Sequence, residues 1–357
     1  MQSVPADTAE IPFQFTGKAT EYFGIWIVNL LLVVLTLGIY SAWAKVRKNR
    51  YFYGNTVLAA APFDYLANPV AILKGRLIAF AAFAIYSVVV KLYPVSAPAF
   101  GVAFFIALPW LIVRSLAFNA HNSAYRNLRF HFDRSYGKAI GVFAGLALLI
   151  PFTLGLILPY YAYRRKKFIV DHSGYGSSRY ALDVGPAKFY GVYFKALGML
   201  LLLAALGGVA AALLFPQMAG ALARSSSMGA HAANPGAAGA AGAMMVGVVA
   251  AYLMVFAYVQ TAIANLTWNH TTLAGHRFHS SLGIGRMIWL YLSNSVAIAL
   301  SLGLLIPWAR IRMARYRFDN LALIPHGSFD DFVAGEQENL SATGEELGEF
   351  FGVDISL

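Results

Sequence analysis

The chain contains no cysteine, so disulfides, thiolate metal ligands and a cysteine nucleophile are excluded. Charge is scarce as well: 12% of its 357 residues are Asp, Glu, Lys or Arg, against 59% hydrophobic. Soluble domains carry about twice that share of charge, and a mean hydropathy of +0.61 points instead to a membrane protein. The apolar runs Leu77–Val90, Phe100–Val113, Val192–Phe215 and Met244–Ile263 hold no carboxylate. Proton-driven pumps usually place one at that depth, so a simple proton relay is disfavoured. There is no Gly-rich phosphate loop, no Ser-centred nucleophile motif and no paired carboxylate, so the sequence is read as non-enzymatic and without a cofactor. His270, His276 and His279 are loosely spaced with no acid or thiol beside them, so no metal site is expected. The first twenty residues lack the basic start and apolar core of a cleaved secretory signal, and the first apolar segment is expected to be retained as an insertion signal.

What the chain does have is a phrase written three times. TLGIYSAW at Thr36–Trp43, TLGLILPY at Thr153–Tyr160 and SLGLLIPW at Ser301–Trp308 each run into a basic cluster. Ungapped alignment matches Trp43, Tyr160 and Trp308, then Arg47, Arg164 and Arg312, then Arg50, Lys167 and Arg315. A ring at headgroup depth with cations just outside it is an interfacial anchor, and these nine residues are read as such. The first and third copies also share Asn29 and Asn294, where the second has Leu146. A shared register in three copies points to duplication. Short aromatic alternations at Phe13–Phe15, Phe63–Tyr65, Phe130–Phe132 and Phe278–His279, each followed by a Gly or Pro break, read either as short strands on one aqueous face or as loops with aromatic contacts.

The stretches FQFTG, EYFGIWIVNLLLVVLTLGIYSAWAKVRKNRYFYGNT, APFDY and ILKGR (72–76) carry a resemblance. Over most of residues 11–320 the chain resembles the YjgN family of bacterial inner-membrane proteins, a family of unknown function. The resemblance implies a multi-pass inner-membrane location and brings no catalytic residues or cofactor.

All 27 Lys and Arg lie at or before Arg317, while nine of the 16 acids follow it. The residues before that point carry a large positive excess, and their cations cluster at the ends of apolar runs, where they orient a membrane protein and meet anionic headgroups. Nucleic acid is not an expected partner, since no reading motif accompanies the charge. Seven crossings would place eleven cations on the wrong face. If each repeated phrase belongs to a segment that enters and leaves on one face, while the four long runs cross as two hairpins, only Lys91 and Arg224 lie outside. Gly38, Gly155 and Gly303 with Pro151, Pro159 and Pro307 supply the breaks. A kinked full span followed by an interfacial helix is the alternative.

The expected fold class is therefore an all-α multi-pass helical bundle with internal repeats: two transmembrane hairpins plus three Gly/Pro-broken segments, with short cytoplasmic strands as an addition. Residues 1–320 form the membrane domain and 321–357 an acidic flexible tail, predicted to be cytoplasmic. The loop 217–242 reads as a Gly/Ala/Ser linker. Polar residues at membrane depth include Arg114, and an offset of 148 superposes His121 and Asn122 on Asn269 and His270. These residues read as helix C-caps and interhelix bonds, or, with Arg114, Asn29 and Asn294, as the lining of a polar pathway between repeats. Two function classes follow: transport or lipid handling, or a membrane scaffold or stress-linked modulator that binds anionic lipid and protein partners.

Overall fold

A computed structural model describes residues 10–214 and 235–338. The all-α expectation fails. Eleven short antiparallel strands form one sheet in the order β1-β11-β10-β9-β8-β7-β6-β5-β4-β3-β2. Both edges of that order, β1 (Ile11–Pro12) and β2 (Gln14–Phe15), belong to a single extended segment. Its first half pairs with β11 (Leu321–Ile324) and its second with β3 (Thr56–Leu58), so the sheet curls round into a nearly closed barrel. The physical reason the composition misses this is strand length. Runs of two to five residues hold too few alternations to stand out between long apolar helices.

Four hairpins build the rest: β3 with β4 (Ala61–Tyr65), β5 (Ser123–Tyr125) with β6 (Leu128–Phe132), β7 (Ser173–Tyr175) with β8 (Ser178–Leu182), and β9 (Thr271–Leu273) with β10 (His276–Ser280). Each turns through two residues, and Ala59, Ala60, Arg126, Asn127, Gly176, Ala274 and Gly275 all have positive φ there. That backbone matches the right-handed twist of short hairpins. The fifth unit is split, its first strand β11 coming from one end of the chain and its second, Ile11–Phe15, from the other. All four aromatic alternations fall in second strands. The fifth counterpart, Tyr180–Leu182 in β8, carries only one aromatic residue and was not legible.

A helical arm leaves each second strand and returns to the next first strand. Two arms are long: α3 (Pro69–Leu92) with α4 (Ala97–His121), and α8 (Pro186–Leu214) with α9 (Pro235–Trp268). These four helices are long and apolar enough to cross a membrane, by length and composition. Of the linker, residues 217–234 lie outside the described residues and 235–242 begin α9. The other three arms are short: α1 (Ala19–Leu35) with α2 (Ser41–Gly54), the run Tyr136–Phe152 with α7 (Leu158–Asp171), and α10 (Ile284–Leu300) with α11 (Ile306–Asp319). The second run comprises α5 (Tyr136–Ala139), a π-helical turn (Ile140–Gly145) and α6 (Leu146–Phe152).

The repeated phrase forms the tip of each short arm. In all three, a leucine at φ 48 to 50° precedes a glycine at φ 83 to 93°: Leu37–Gly38, Leu154–Gly155 and Leu302–Gly303. The glycine N–H reaches back to Val33, Ile150 or Ile298 (2.8–2.9 Å) and the leucine N–H to Val34, Pro151 or Ala299 (3.2 Å). This pair of bonds closes a Schellman cap and turns the chain back. Pro159 and Pro307 then sit in the first turn of the returning helix, where they cost no hydrogen bond. The tip leucines are 93 to 96% exposed. Arms of seventeen residues reach about 25 Å, short of a hydrocarbon layer of about 30 Å.

The barrel interior is a single apolar cluster. Phe13, Leu58, Tyr125, Tyr175, Leu273, Phe278 and Leu323 are buried within it. Phe329 and Val333 join them from a helix over 329–338, labelled α12. So β11 and α12 lie beyond residue 320 and belong to the barrel, while 339–357 lie outside the described residues.

Candidate functional site

Each returning helix ends in the same polar arrangement. The residue between helix and first strand is Asn55, Asn122, His172, His270 or Asn320, and its side chain bonds the carbonyl four residues back at 2.7–2.9 Å. Its own carbonyl accepts the N–H that follows a second strand: Thr16, Leu66, Asp133, Asp183 or Ser281 (2.8–3.0 Å). Four of the five first strands then open with Thr56, Ser123, Ser173 or Thr271, whose hydroxyl again bonds the carbonyl four residues back (2.7–2.8 Å). Such bonds satisfy carbonyls that every helix terminus leaves open.

Asn122 and His270 therefore occupy equivalent caps in two different units. His121 is held by Arg129 (2.9 Å), His270 Nε2 by Lys188 (2.7 Å), and Asn269 bonds Ser280. Their bonds run within or beside their own units and bring no side chains of the two groups together. Arg114 is exposed over the Trp110 ring at 5.0 Å. Asn294 is buried, accepts from Arg312 (3.0 Å) and bonds the Ala309 carbonyl. Asn29 is also buried, but among the described residues its Oδ1 has no partner.

The anchor series is longer than the three phrases indicate. Twelve residues before each cap stands an aromatic: Trp43, Trp110, Tyr160, Tyr258 and Trp308. Four residues on, Arg47, Arg114, Arg164 and Arg312 follow in four units. Arg164 and Arg312 lie 6.0 and 5.1 Å from their ring centroids, as Arg114 does from Trp110. Fixed spacing to a common cap could have found Trp110 and Tyr258, had the cap been recognised. Arg50 reaches the Tyr65 carbonyl (3.3 Å), Lys167 that of Leu182 (2.9 Å) and Arg315 that of Gly17 (2.9 Å), so this second cation ties the arm to a neighbouring strand end.

The turn end of the barrel is stoppered by α12. Phe329, Phe332 and Val333 face the interior cluster, Asp330 pairs with Arg126, and Gln337 donates to the Arg126 carbonyl at 3.0 Å. Glu336 is 5% exposed and accepts from the Ser177 N–H and the Ser178 hydroxyl. Burial alone would raise its pKa, but these donors outweigh burial and hold it below the usual carboxylate value. Gly176 is required at this turn: its φ is positive, and a Cβ would collide with the Glu336 carboxylate. His276, 2% exposed, accepts the His326 N–H at Nδ1 (2.9 Å) and meets Phe332 edge-on. Burial, aided by nearby His326, lowers its pKa. Composition gave no sign of this stopper, because the acids of the tail read as solvated.

Where the barrel meets the arms, one polar recess departs from the repeat. It has a volume of about 430 Å3 and is lined by Arg134, Ser135, Lys138, His172 and Arg179 with Asp133 and Asp171. A second recess, about 530 Å3, adjoins it and shares Arg179.

A strand barrel carrying apolar arms from one rim, closed by a helix at the other, defines a membrane-type mixed α/β protein. The chain belongs to the family described as bacterial protein of unknown function (DUF898), whose model matches residues 10–350. It is similar to the inner membrane protein YjgN of Salmonella typhimurium, 27% identical over 93% of this chain and 90% of that protein. It is also similar to YjgN of Escherichia coli O157:H7, 27% identical over 42% of this chain and 38% of that one. No solved structure matches.

Proposed function

We propose that this is a multi-pass inner-membrane protein that handles lipid from the cytoplasmic side, without enzymatic chemistry. Four helices cross, three short arms enter from the cytoplasmic side and return without crossing, and the barrel with the C-terminal segment lies in the cytoplasm. The observation that carries the reading is that short arms, whose helices reach about 25 Å, stand beside full-length arms on one rim. A short arm with an exposed leucine tip ends before the far headgroups and leaves lipid above it free to move. Between the long arms, lipid then has a lateral approach that a closed bundle would deny.

Orientation is supported by charge. With the barrel side cytoplasmic, 25 of the 27 Lys and Arg fall inside, all but Lys91 and Arg224. A solute path through the barrel axis finds no support, since aromatic side chains and α12 fill it. That filled core favours the second reading, a scaffold that binds anionic lipid and protein partners.

Two experiments test the proposal. In spheroplasts, a cysteine at Val95, 89% exposed between α3 and α4, should react with an impermeant thiol reagent. One at Ser177 should react only after permeabilisation. The reverse pattern overturns the orientation. For activity, reconstituted protein should let dithionite quench inner-leaflet fluorescent phospholipid well beyond empty vesicles; quenching equal to empty vesicles overturns lipid handling in favour of the scaffold.

A further inference from the structure

The five units show which polar residues the fold needs, because those recur. A cluster found at only one junction must be explained otherwise. Arg134 is the second residue after β6, and its counterparts after the other second strands are Gly17, Ala67, Val184 and Leu282. No other unit puts a charge there. Lys138, four residues on, corresponds to Glu21, Ala71, Lys188 and Arg286. Lys188 is occupied with His270 at 2.7 Å. Arg134 and Lys138 are exposed on the rim of the recess of about 430 Å3.

The acids of the recess are already engaged. Asp133 pairs with Arg179 at 2.7 Å, and Asp171 pairs with Lys167 at 3.0 Å while accepting the Leu182 N–H at 2.9 Å. Those two cations neutralise those two acids, so among the described residues Arg134 and Lys138 remain as uncompensated positive charge. His172 spends Nδ1 on its own helix (2.8 Å), and among the described residues its Nε2 makes no such bond. The Ser135 hydroxyl makes no cap bond to the helix it precedes. Two cations, an imidazole and a hydroxyl around one recess form a donor set that suits a phosphate ester.

We propose that this recess binds a phosphate ester, with Arg134 and Lys138 as its charge-bearing ligands and Ser135 and His172 as hydrogen-bonding partners. The ligand is a phosphate mono- or diester of net negative charge, from the headgroup of an anionic glycerophospholipid or a free glycerol phosphate. Location favours the headgroup: the recess lies where second strand passes into arm, the level at which apolar helix surface begins. This assignment rests on the lipid-handling reading for its source, though not for its chemistry.

The test uses full-length protein in a zwitterionic detergent, titrated with short-chain phosphatidylglycerol, short-chain phosphatidylcholine and glycerol 3-phosphate. Wild type should bind phosphatidylglycerol saturably, and an Arg134→Ala, Lys138→Ala variant at least ten-fold more weakly at unchanged melting temperature. Arg134→Lys should retain most of the affinity. Glycerol 3-phosphate matching phosphatidylglycerol would keep the site and make the free ester the ligand. Equal affinity for phosphatidylcholine, unchanged affinity in the double variant, or no saturable binding would each overturn the site. Lipid scrambling without any such binding would remove the site and leave the lipid-handling reading standing. Binding without scrambling would do the opposite.

Discussion

Long and short arms are built on the same strand, aromatic and cap, and differ chiefly in length. Each rises from a second strand and returns through an aromatic position twelve residues before an Asn or His cap. The short arms are also equal among themselves, with 22 residues from Phe15 to Leu37, from Phe132 to Leu154 and from Ser280 to Leu302. The lesson is a division of labour. The rim fixes the end of the barrel from which an arm starts and to which it returns, and arm length alone sets how far it extends. A sequence can therefore duplicate and lengthen an arm without disturbing the barrel end that carries it.

The sharpest way to break that comparison is depth, where the expected effect is all or none. A cysteine at Leu154 or Leu302 should be silent to impermeant thiol reagents from either side of a sealed membrane, whereas Val95→Cys reacts from outside. Outside labelling at Leu302 would make the short arms crossings.

The stopper ranks next, since it serves all arms alike. Ending the chain after His326 removes Phe329, Phe332 and Val333 from the interior. At about 1.5–3 kcal/mol for each large apolar side chain, the free energy of unfolding in detergent should fall by several kcal/mol, read as a lower melting temperature. Glu336→Ala alone should cost about 1–3 kcal/mol, because the Ser177 N–H and Ser178 hydroxyl lose their acceptor. Acid should imitate these changes. Glu336 has a depressed pKa, so its contribution is complete above the ordinary carboxylate value and disappears as pH falls through its folded value. His276, also depressed, stabilises fully above about pH 6.5 and increasingly less as pH drops towards its lowered folded value. A melting temperature that stays flat as pH falls from about 6.5 to about 4.5 would contradict the part of His276, and one that stays flat from about pH 4.5 down to about pH 2 the part of Glu336.

Glycine offers a smaller contrast between the two arm types. Gly303 at φ +92° turns a short arm, whereas Gly101 lies in a long helix with nothing within 4 Å of an added Cβ. Gly303→Ala should cost about 1–3 kcal/mol in backbone strain, while Gly101→Ala should be neutral or stabilise by up to about 1 kcal/mol. Equal effects would deny the tips their special conformation. Smallest of all are the caps. Asn122→Ala on a long arm and Asn320→Ala on a short one should each cost about 1 kcal/mol, matching within a few tenths; a marked inequality would mean that one cap has a second task.

Much of this was legible along the chain and some was not, for physical reasons. Helix periodicity and hydropathy extend over twenty residues, so the four long helices and the three shorter apolar ones fall where the apolar runs put them. The aromatic alternations marked four second strands, but β8 offers Tyr180 alone, and three-residue first strands such as Ser173–Tyr175 have no pattern to read. His121 and Asn122 were correctly aligned with Asn269 and His270, yet the alignment could not tell a cap from a pathway, since both use the same residue types. The phosphate-ester recess was invisible, because Asp133, His172 and Arg179 come together only when β6 and β7 pair.

The sequence by itself determined a membrane-type composition, a repeated helix-turn-helix tip with its basic cluster, and the confinement of every Lys and Arg to the residues up to Arg317. Each is written in neighbouring residues or in a count. Only the tertiary structure decided that there are five units rather than three, that β1 meets β11 across more than three hundred residues, and that the acidic segment folds back as a stopper. Those outcomes depend on strand pairing and burial between distant segments, whose hydrogen bonds and apolar contacts leave no local periodicity to read.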